Sequence, residues 1–390
     1  LALLLPLAFV GGCSSLQDFF GTAPNKRPAE VVVPLGERPV QDPLRASHFV
    51  LDSPDQSVVG EPQIVYTTDT DTLSDLARAY GLGYDELIAA NPDVNPWLPG
   101  ADMPVLLPTQ FIIPDVPREG IVLNMASKRL FYFPPVADGQ PVHVKTFPIG
   151  IGRVGWETPL GATTVVDKAR DPHWYVPWSV RQEHAELGDP LPSVVPPGPD
   201  NPLGHRVLKL DMPGYLIHGT NQPYGVGMRV SHGCVRLYPE NIEYLYELVD
   251  IGESVTIINE PYLFGEHDGV VYFEGHAPLE DDAIDPQDRL DLLLERWNGA
   301  LPTGFSDDQF ARVQAAADSA SGIPVRIEAG RPDDVMNRVR VVRNTVEVDP
   351  EAPTLAEVRE MIDEAVQEAD EETGAEGGAS APSDLTPSQL

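Results

Sequence analysis

Between residues 118 and 258 the apolar residues come in short runs, and a glycine, a proline or a polar turn ends nearly every one. GIVLNMASKRLFYFP holds two such runs around a polar turn, as a β-hairpin does. PVHVKTFPIGIG and GATTVVDKA continue the pattern. A chain punctuated in this way is a poor helical bundle, because proline removes a backbone donor and glycine gives up the most conformational freedom. The whole chain of 390 residues carries 41 prolines and 33 glycines. The region is therefore read as mainly β, a sandwich or a barrel. Within it GYLIHGT reads as a buried strand that delivers His218 at its end. ENIEYLYELVDIG reads as a helix, with Ile242, Leu245, Tyr246 and Val249 on one face and Gly252 beyond its end. ESVTIIN closes the unit as a strand.

The length allows two or three domains. Residues 61–108 form a separate small unit. Leu73, Leu76, Ala77 and Tyr80 recur at helical spacing, with Thr72 and Asp75 as an N-cap pair and Gly81 as a stop. Tyr84, Leu87 and Ile88 repeat the pattern before Asn91-Pro92 breaks it, and strands are expected at 64–67 and 103–107. This order, carried by DTL…LARAYG…AANP…LLP, resembles a LysM module, with Thr70 where the family usually has glycine. The resemblance implies binding of glycan strands. A small structural domain without glycan binding is the alternative. Residues 14–60, rich in proline and charge, read as a linker with one short strand at 31–33. Residues 259–345 read as a C-terminal subdomain, with helices near 289–297 and 307–317 and a strand at 325–327. From 346 to 390 the chain is an acidic tail, with an amphipathic helix at 354–372 and a disordered end.

LALLLPLAFVGGC opens the sequence. Its apolar run falls far short of the ~20 residues that a bilayer helix needs. It reads as the remnant of a secretory signal, and Val10-Gly11-Gly12-Cys13 resembles a bacterial lipobox, in which Cys13 would take the lipid. An ordinary signal cleaved near Gly12 is the alternative. The expectation is a periplasmic protein of a Gram-negative bacterium, anchored by lipid, with Ser14 and Ser15 favouring the outer membrane. Sixty acidic residues against 26 basic ones give a net charge of −34, which argues against nucleic acid as a partner.

Cys13 and Cys234 are the only cysteines. If Cys13 carries lipid, Cys234 has no partner in an oxidising compartment and stands as a reactive thiol. Its neighbours in VSHGCVRL are polar or small, which is not a core pattern. Two histidines can activate it. His232 lies two residues before it and would share its face in an extended segment. His218 lies at the end of a strand, across a loop rich in glycine, asparagine and proline. An imidazole that shares the proton turns a thiol with a pKa of ~8.5 into a thiolate, and a third group must fix the ring. The carbonyl of Gly219 can do that. The amide of Gly233, with that of Cys234, can form an oxyanion hole. Arg236 can bind a substrate carboxylate or stabilise negative charge. Asn221 can contact substrate, although loop geometry explains it equally. Zinc held by His218, His232 and Cys234 lacks the spacing of structural sites, so neither metal nor cofactor is expected.

HGT at 218–220 followed by SHGCVRL at 231–237 resembles the signature of the YkuD-type L,D-transpeptidase catalytic domain. FPIGIG, TPLGATTV, DPHWYVP and VVPPGPDNPLGHRVLKL are similar to the ErfK/YbiS subgroup. The resemblance runs from about 61 to 260 and more loosely to 345. It implies a YkuD-type β-sandwich at 118–258 that acts on peptidoglycan tetrapeptide stems. Cys234 would attack the amide between diaminopimelate and D-Ala, with His218 as proton donor and acceptor. The acyl group would pass to an amine, either that of a second diaminopimelate or the C-terminal lysine of an outer-membrane lipoprotein. Ser231, His232 and Arg236 become pocket residues, with His232 at a position where some relatives carry serine and Arg236 matching the subgroup. A peptidoglycan L,D-carboxypeptidase or other cysteine peptidase is the nearest rival, and a non-catalytic peptidoglycan-binding lipoprotein is the other.

Overall fold

The computed structural model describes residues 33–53, 55–137, 139–300, 304–330 and 333–347. Cys13, the signal run, most of the strand expected at 31–33 and nearly all of the acidic tail lie outside the described residues.

The fold is mainly β. Its centre is a sheet of nine strands: β1 (His48–Val50), β2 (Gly120–Asn124), β3 (Arg129–Phe133), β4 (His143–Pro148), β5 (Gly161–Arg170), β6 (Arg206–Leu210), β7 (Leu216–His218), β8 (Val235–Arg236) and β9 (Ser254–Ile258). Across the sheet they run β1-β4-β3-β2-β9-β5-β6-β7-β8. Only β9 with β2 and β7 with β8 pair in parallel. The ten residues of β5 serve two neighbours. Gly161 to Thr164 pair with β9, the register slips between Val165 and Asp167, and the rest pairs with β6. An irregularity of this kind bends a strand, so the sheet curls and its two halves face different ways.

β2 and β3 are buried on both faces, which is why they read as nearly continuous apolar runs. Ile121, Leu123, Leu130 and Tyr132 face one core, shared with Ile242, Leu245 and Val249 of the helix Pro239–Leu248 and its end. Val122, Phe131, Phe133 and Val144 face a second core, shared with Leu73, Leu76 and Leu87. The small 61–108 unit thus packs on the back of the nine-stranded sheet.

That unit has the expected order of strand Gln63–Tyr66, helix Leu73–Ala79, helix Tyr84–Ala90 and strand Pro104–Leu107. Thr72 and Asp75 form the reciprocal cap, with bonds of 3.2 and 3.0 Å. Asn91 ends the second helix and fastens it to Leu106 through both its amide nitrogen and its oxygen, each at 2.8 Å. A third strand, Arg340–Val342, joins Gln63–Tyr66 in parallel. The C-terminal segment thus ends on the small unit. The helices Pro286–Ala300 and Asp307–Ser319 cover a hairpin, Tyr262–His267 with Val270–Gly275.

One expectation is corrected here. The linker read over 14–60 is not free chain along its described length. His48–Val50 is β1, the sheet edge paired with β4, Val58–Gly60 pairs with Gln110–Ile112, and Ala46 and Leu51 are buried in a core. Three-residue strands are too short to show a period, and proline masked them.

A buried ion pair joins the two units. The Arg129 guanidinium on β3 meets Glu86 of the helix Tyr84–Ala90 at 2.6 and 3.2 Å and lies 3.9 Å over the Phe111 ring. Glu86 also caps the Gly83 amide at 2.9 Å. Removing one partner leaves an uncompensated buried charge, which is worth about 3–5 kcal/mol. Arg129→Ala is therefore expected to lower the free energy of urea unfolding by about that amount. Arg129→Met combined with Glu86→Gln should recover most of it. A loss below about 1 kcal/mol for the single change would show that the pair does not hold the units together.

Candidate active site

Strands β7 and β8 run side by side, with Ile217 opposite Val235 and His218 opposite Arg236. Ile217 and Val235 point into the core. The alternation of a strand then turns Leu216, His218, Cys234 and Arg236 to the other face. All four line one cleft of about 700 Å³. Trp156, Trp174, Tyr175, His184 and Asn221 line it too, and the helix Trp178–Glu186 contributes Val180 from above.

His218 is buried, 3% exposed. Its Nδ1 donates to the Gly219 carbonyl at 2.6 Å. A carbonyl can only accept, so Nδ1 carries the proton and Nε2 of the neutral ring is left as the basic nitrogen. This is the contact through which Gly219 would orient the ring. Burial, and then the neighbouring Arg236 guanidinium, push the imidazole down to about 3.

Cys234 is half-buried. Its Sγ donates to the Gly214 carbonyl at 3.6 Å. Among the described residues no hydrogen bond joins the thiol to His218. Burial pushes the thiol up, against the smaller opposing pulls of the Leu216 amide and Arg236. Both shifts run against the expectation of a thiolate held at rest by an imidazole: burial disfavours the charged form of each and favours a neutral thiol and a neutral imidazole.

The loop before the thiol is tightly held. Ser231 Oγ donates to the Cys234 carbonyl at 2.5 Å, and Thr158 Oγ1 donates to the Gly233 carbonyl at 2.8 Å. Gly233 sits at φ +96°, and a Cβ there would meet Tyr215 at 3.0 Å, so only glycine fits without strain. Among the described residues neither the Gly233 nor the Cys234 amide donates to a backbone carbonyl outside the strand ladders.

His232 is engaged elsewhere. Its Nε2 lies 2.7 Å from Glu183 Oε2 and 3.1 Å from Arg153, and Arg153 also pairs with Glu183. The Trp156 ring meets the imidazole edge-on at 4.8 Å. Glu183 is held below the usual carboxylate range by its bond to His232 and by Arg153. His232 therefore ties the loop to the helix Trp178–Glu186 while it also lines the cleft, and His218 is the histidine left without a carboxylate partner. Sequence reading missed Glu183, Arg153 and Thr158. Glu183 precedes His232 by 49 residues, in a helix with a single buried residue, Val180, and no side-chain cap, so neither periodicity nor a start signal marked it. Asn221 is exposed at the cleft rim and makes no contact that would single it out. Among the described residues no three His, Cys, Asp or Glu side chains form a metal-holding group.

Residues 118–257 match the L,D-transpeptidase catalytic domain (YkuD). The chain is 38% identical over 291 residues to a probable L,D-transpeptidase, YcfS, of Escherichia coli strain K12, covering 73% of this chain and 89% of that one. It is 38% identical to the probable L,D-transpeptidase ErfK/SrfK of Salmonella typhimurium, over 74% of this chain and 96% of that one. It is 37% identical to the probable L,D-transpeptidase YbiS of Escherichia coli strain K12, over 72% and 91%.

Proposed function

Because the chain belongs to the YkuD family of L,D-transpeptidases, we propose that its acyl donor is a peptidoglycan tetrapeptide stem and that Cys234 and His218 carry the transfer. The observation that supports this most is the shared cleft: His218 and Arg236 stand opposite each other on two paired strands, and Cys234, just before the second strand, lines the same cleft.

The stem enters with the L-centre carbonyl of its diaminopimelate over Sγ. As sulfur attacks, its proton passes to His218 Nε2. The tetrahedral oxyanion is met by the amides of Gly233 and Cys234. The C–N bond breaks, His218 returns the proton to the departing amine, and D-Ala leaves with a thioester at Cys234. An acceptor amine then attacks the thioester and His218 takes its proton. The family reading supplies two acceptors: the side-chain amine of a second diaminopimelate, or the C-terminal lysine of an outer-membrane lipoprotein. We propose further a site of action on the periplasmic side of the envelope, with Cys13 as a lipid anchor and the 61–108 unit, LysM-like in its element order, against the glycan strands.

The direct test is incubation of the purified protein with a disaccharide-tetrapeptide. Intact-protein mass spectrometry should show the stem less D-Ala attached at Cys234, and added diaminopimelate or a peptide ending in lysine should discharge it. An unmodified thiol after prolonged incubation would remove the donor assignment. Discharge by water at the same rate with and without amine would make the protein a carboxypeptidase.

A further inference from the structure

Arg236 is the one arginine among the described residues that line this cleft, and two arginines beside it are neutralised. Arg153 pairs with Glu183, and Arg229 pairs with Asp281 at 2.7 Å. Arg236 makes no ion pair and no side-chain hydrogen bond among the described residues, and its Nε is buried without a partner. This is a chain with 60 acidic residues, so a guanidinium without a carboxylate is not for want of supply. Arg236 is half-buried, and a part-buried guanidinium without a carboxylate is open to a ligand that supplies one.

Its position says which ligand group that is. Arg236 stands opposite His218 in the paired strands, one side-chain repeat beyond Cys234 on the same face. On the reading above, sulfur takes the acyl carbon and His218 serves the departing nitrogen. The group lying past that nitrogen, toward Arg236, belongs to the leaving residue. In a tetrapeptide stem that group is a free carboxylate, two bonds from the nitrogen. The N-terminal part of the stem runs the opposite way, toward Gly214 and Leu216.

We propose that Arg236 receives the carboxylate of the leaving amino acid and so restricts the acyl donor to stems in which the residue after the scissile amide ends the chain. The proposal rests on the acyl-transfer reading of Cys234 and His218. The covalent balance is unchanged by it: the S–C bond forms, the C–N bond breaks, and the thiol proton leaves on the new amine. A stem extended by one residue presents a neutral amide at this place, and the guanidinium stays unpaired. Such a donor is bound without the charge-assisted bond and is rejected.

The test uses the full chain and two pairs of probes. In each pair one member has a carboxylate and the other a neutral amide: iodoacetate and iodoacetamide, and the disaccharide-tetrapeptide and its C-terminal amide. Wild-type Cys234 should prefer the tetrapeptide to its amide by about 10- to 100-fold in acylation rate. Arg236→Gln should bring that ratio close to one and lower the iodoacetate rate far more than the iodoacetamide rate. Arg236→Lys, which keeps the charge but not the fork, should restore part of both preferences. A preference that survives in Arg236→Gln, or is absent from the wild type, overturns the proposal. So does an equal loss of both alkylation rates, since the arginine would then act on thiol acidity alone. If iodoacetate is favoured through Arg236 but no stem acylates the wild type, the carboxylate receptor stands and the donor assignment falls.

Discussion

Cys234→Ala should leave no measurable acyl-enzyme and reduce D-Ala release from the tetrapeptide stem by at least ~10⁴-fold, with the fold intact. The size of the loss follows from the kind of catalysis. A thioester path divides one difficult amide exchange into two easier steps, and without sulfur neither step exists. The neighbouring groups do not substitute. His232 is committed to Glu183 and Arg153, and Ser231 Oγ is spent on the Cys234 carbonyl. Stability should hardly change, because the sulfur makes one long hydrogen bond, at 3.6 Å, and is only half-buried. Unfolding free energy should stay within about 0.5–1 kcal/mol of the wild type. Intact mass after incubation with donor and a urea melt check the two halves together. Continued D-Ala release by the alanine variant would end the covalent account. A collapse of stability with the loss of activity would make Cys234 a packing residue instead.

Much of this arrangement is legible in the sequence because local rules and tertiary needs agree there. The hairpin of β2 and β3, the capped helix after Thr72 and the strand that ends in His218 each follow from a short pattern that burial then reinforces. Three features are not legible, for different reasons. β1 has three residues, too few for a period, and its place is fixed by pairing with a strand almost a hundred residues away. The helix Trp178–Glu186 buries only Val180, so nothing in its pattern announces it, yet it supplies the Glu183 that fixes His232. The charge state of the thiol–imidazole pair depends on burial, nearly complete for the imidazole and partial for the thiol. Residue type says that a histidine near a cysteine can make a thiolate. The depth of the cleft says that at rest it does not.

That neutral resting pair has an expected pH signature. In an enzyme built on a preformed thiolate–imidazolium pair, the imidazole is protonated in the active form. Here the active free form holds a neutral His218, pushed down to about 3 by burial and then by Arg236. The acylation rate should stay flat as pH falls through 6.5 and drop only in the far acid range. His218→Asn removes the proton acceptor and should slow acylation by about 10²–10⁴-fold. Stability must follow the same shift. The unfolded chain binds a proton at His218 below about 6.5, whereas the native state resists until about 3. Between these values the unfolded state holds more protons, so native stability is full above 6.5 and declines as pH falls through the window. The slope is at most about 1.4 kcal/mol per pH unit, or about 2 kcal/mol from pH 6.5 to 5. His218→Asn cannot take up this proton and should lose about 2 kcal/mol less than the wild type over that interval. Urea melts of both proteins at pH 7 and pH 5 measure the difference, with His232 and the carboxylates common to the two. Equal acid losses, together with an acylation rate that halves near pH 6.5, would mean that the working imidazole is solvated and that the buried, neutral pair is not the state that reacts.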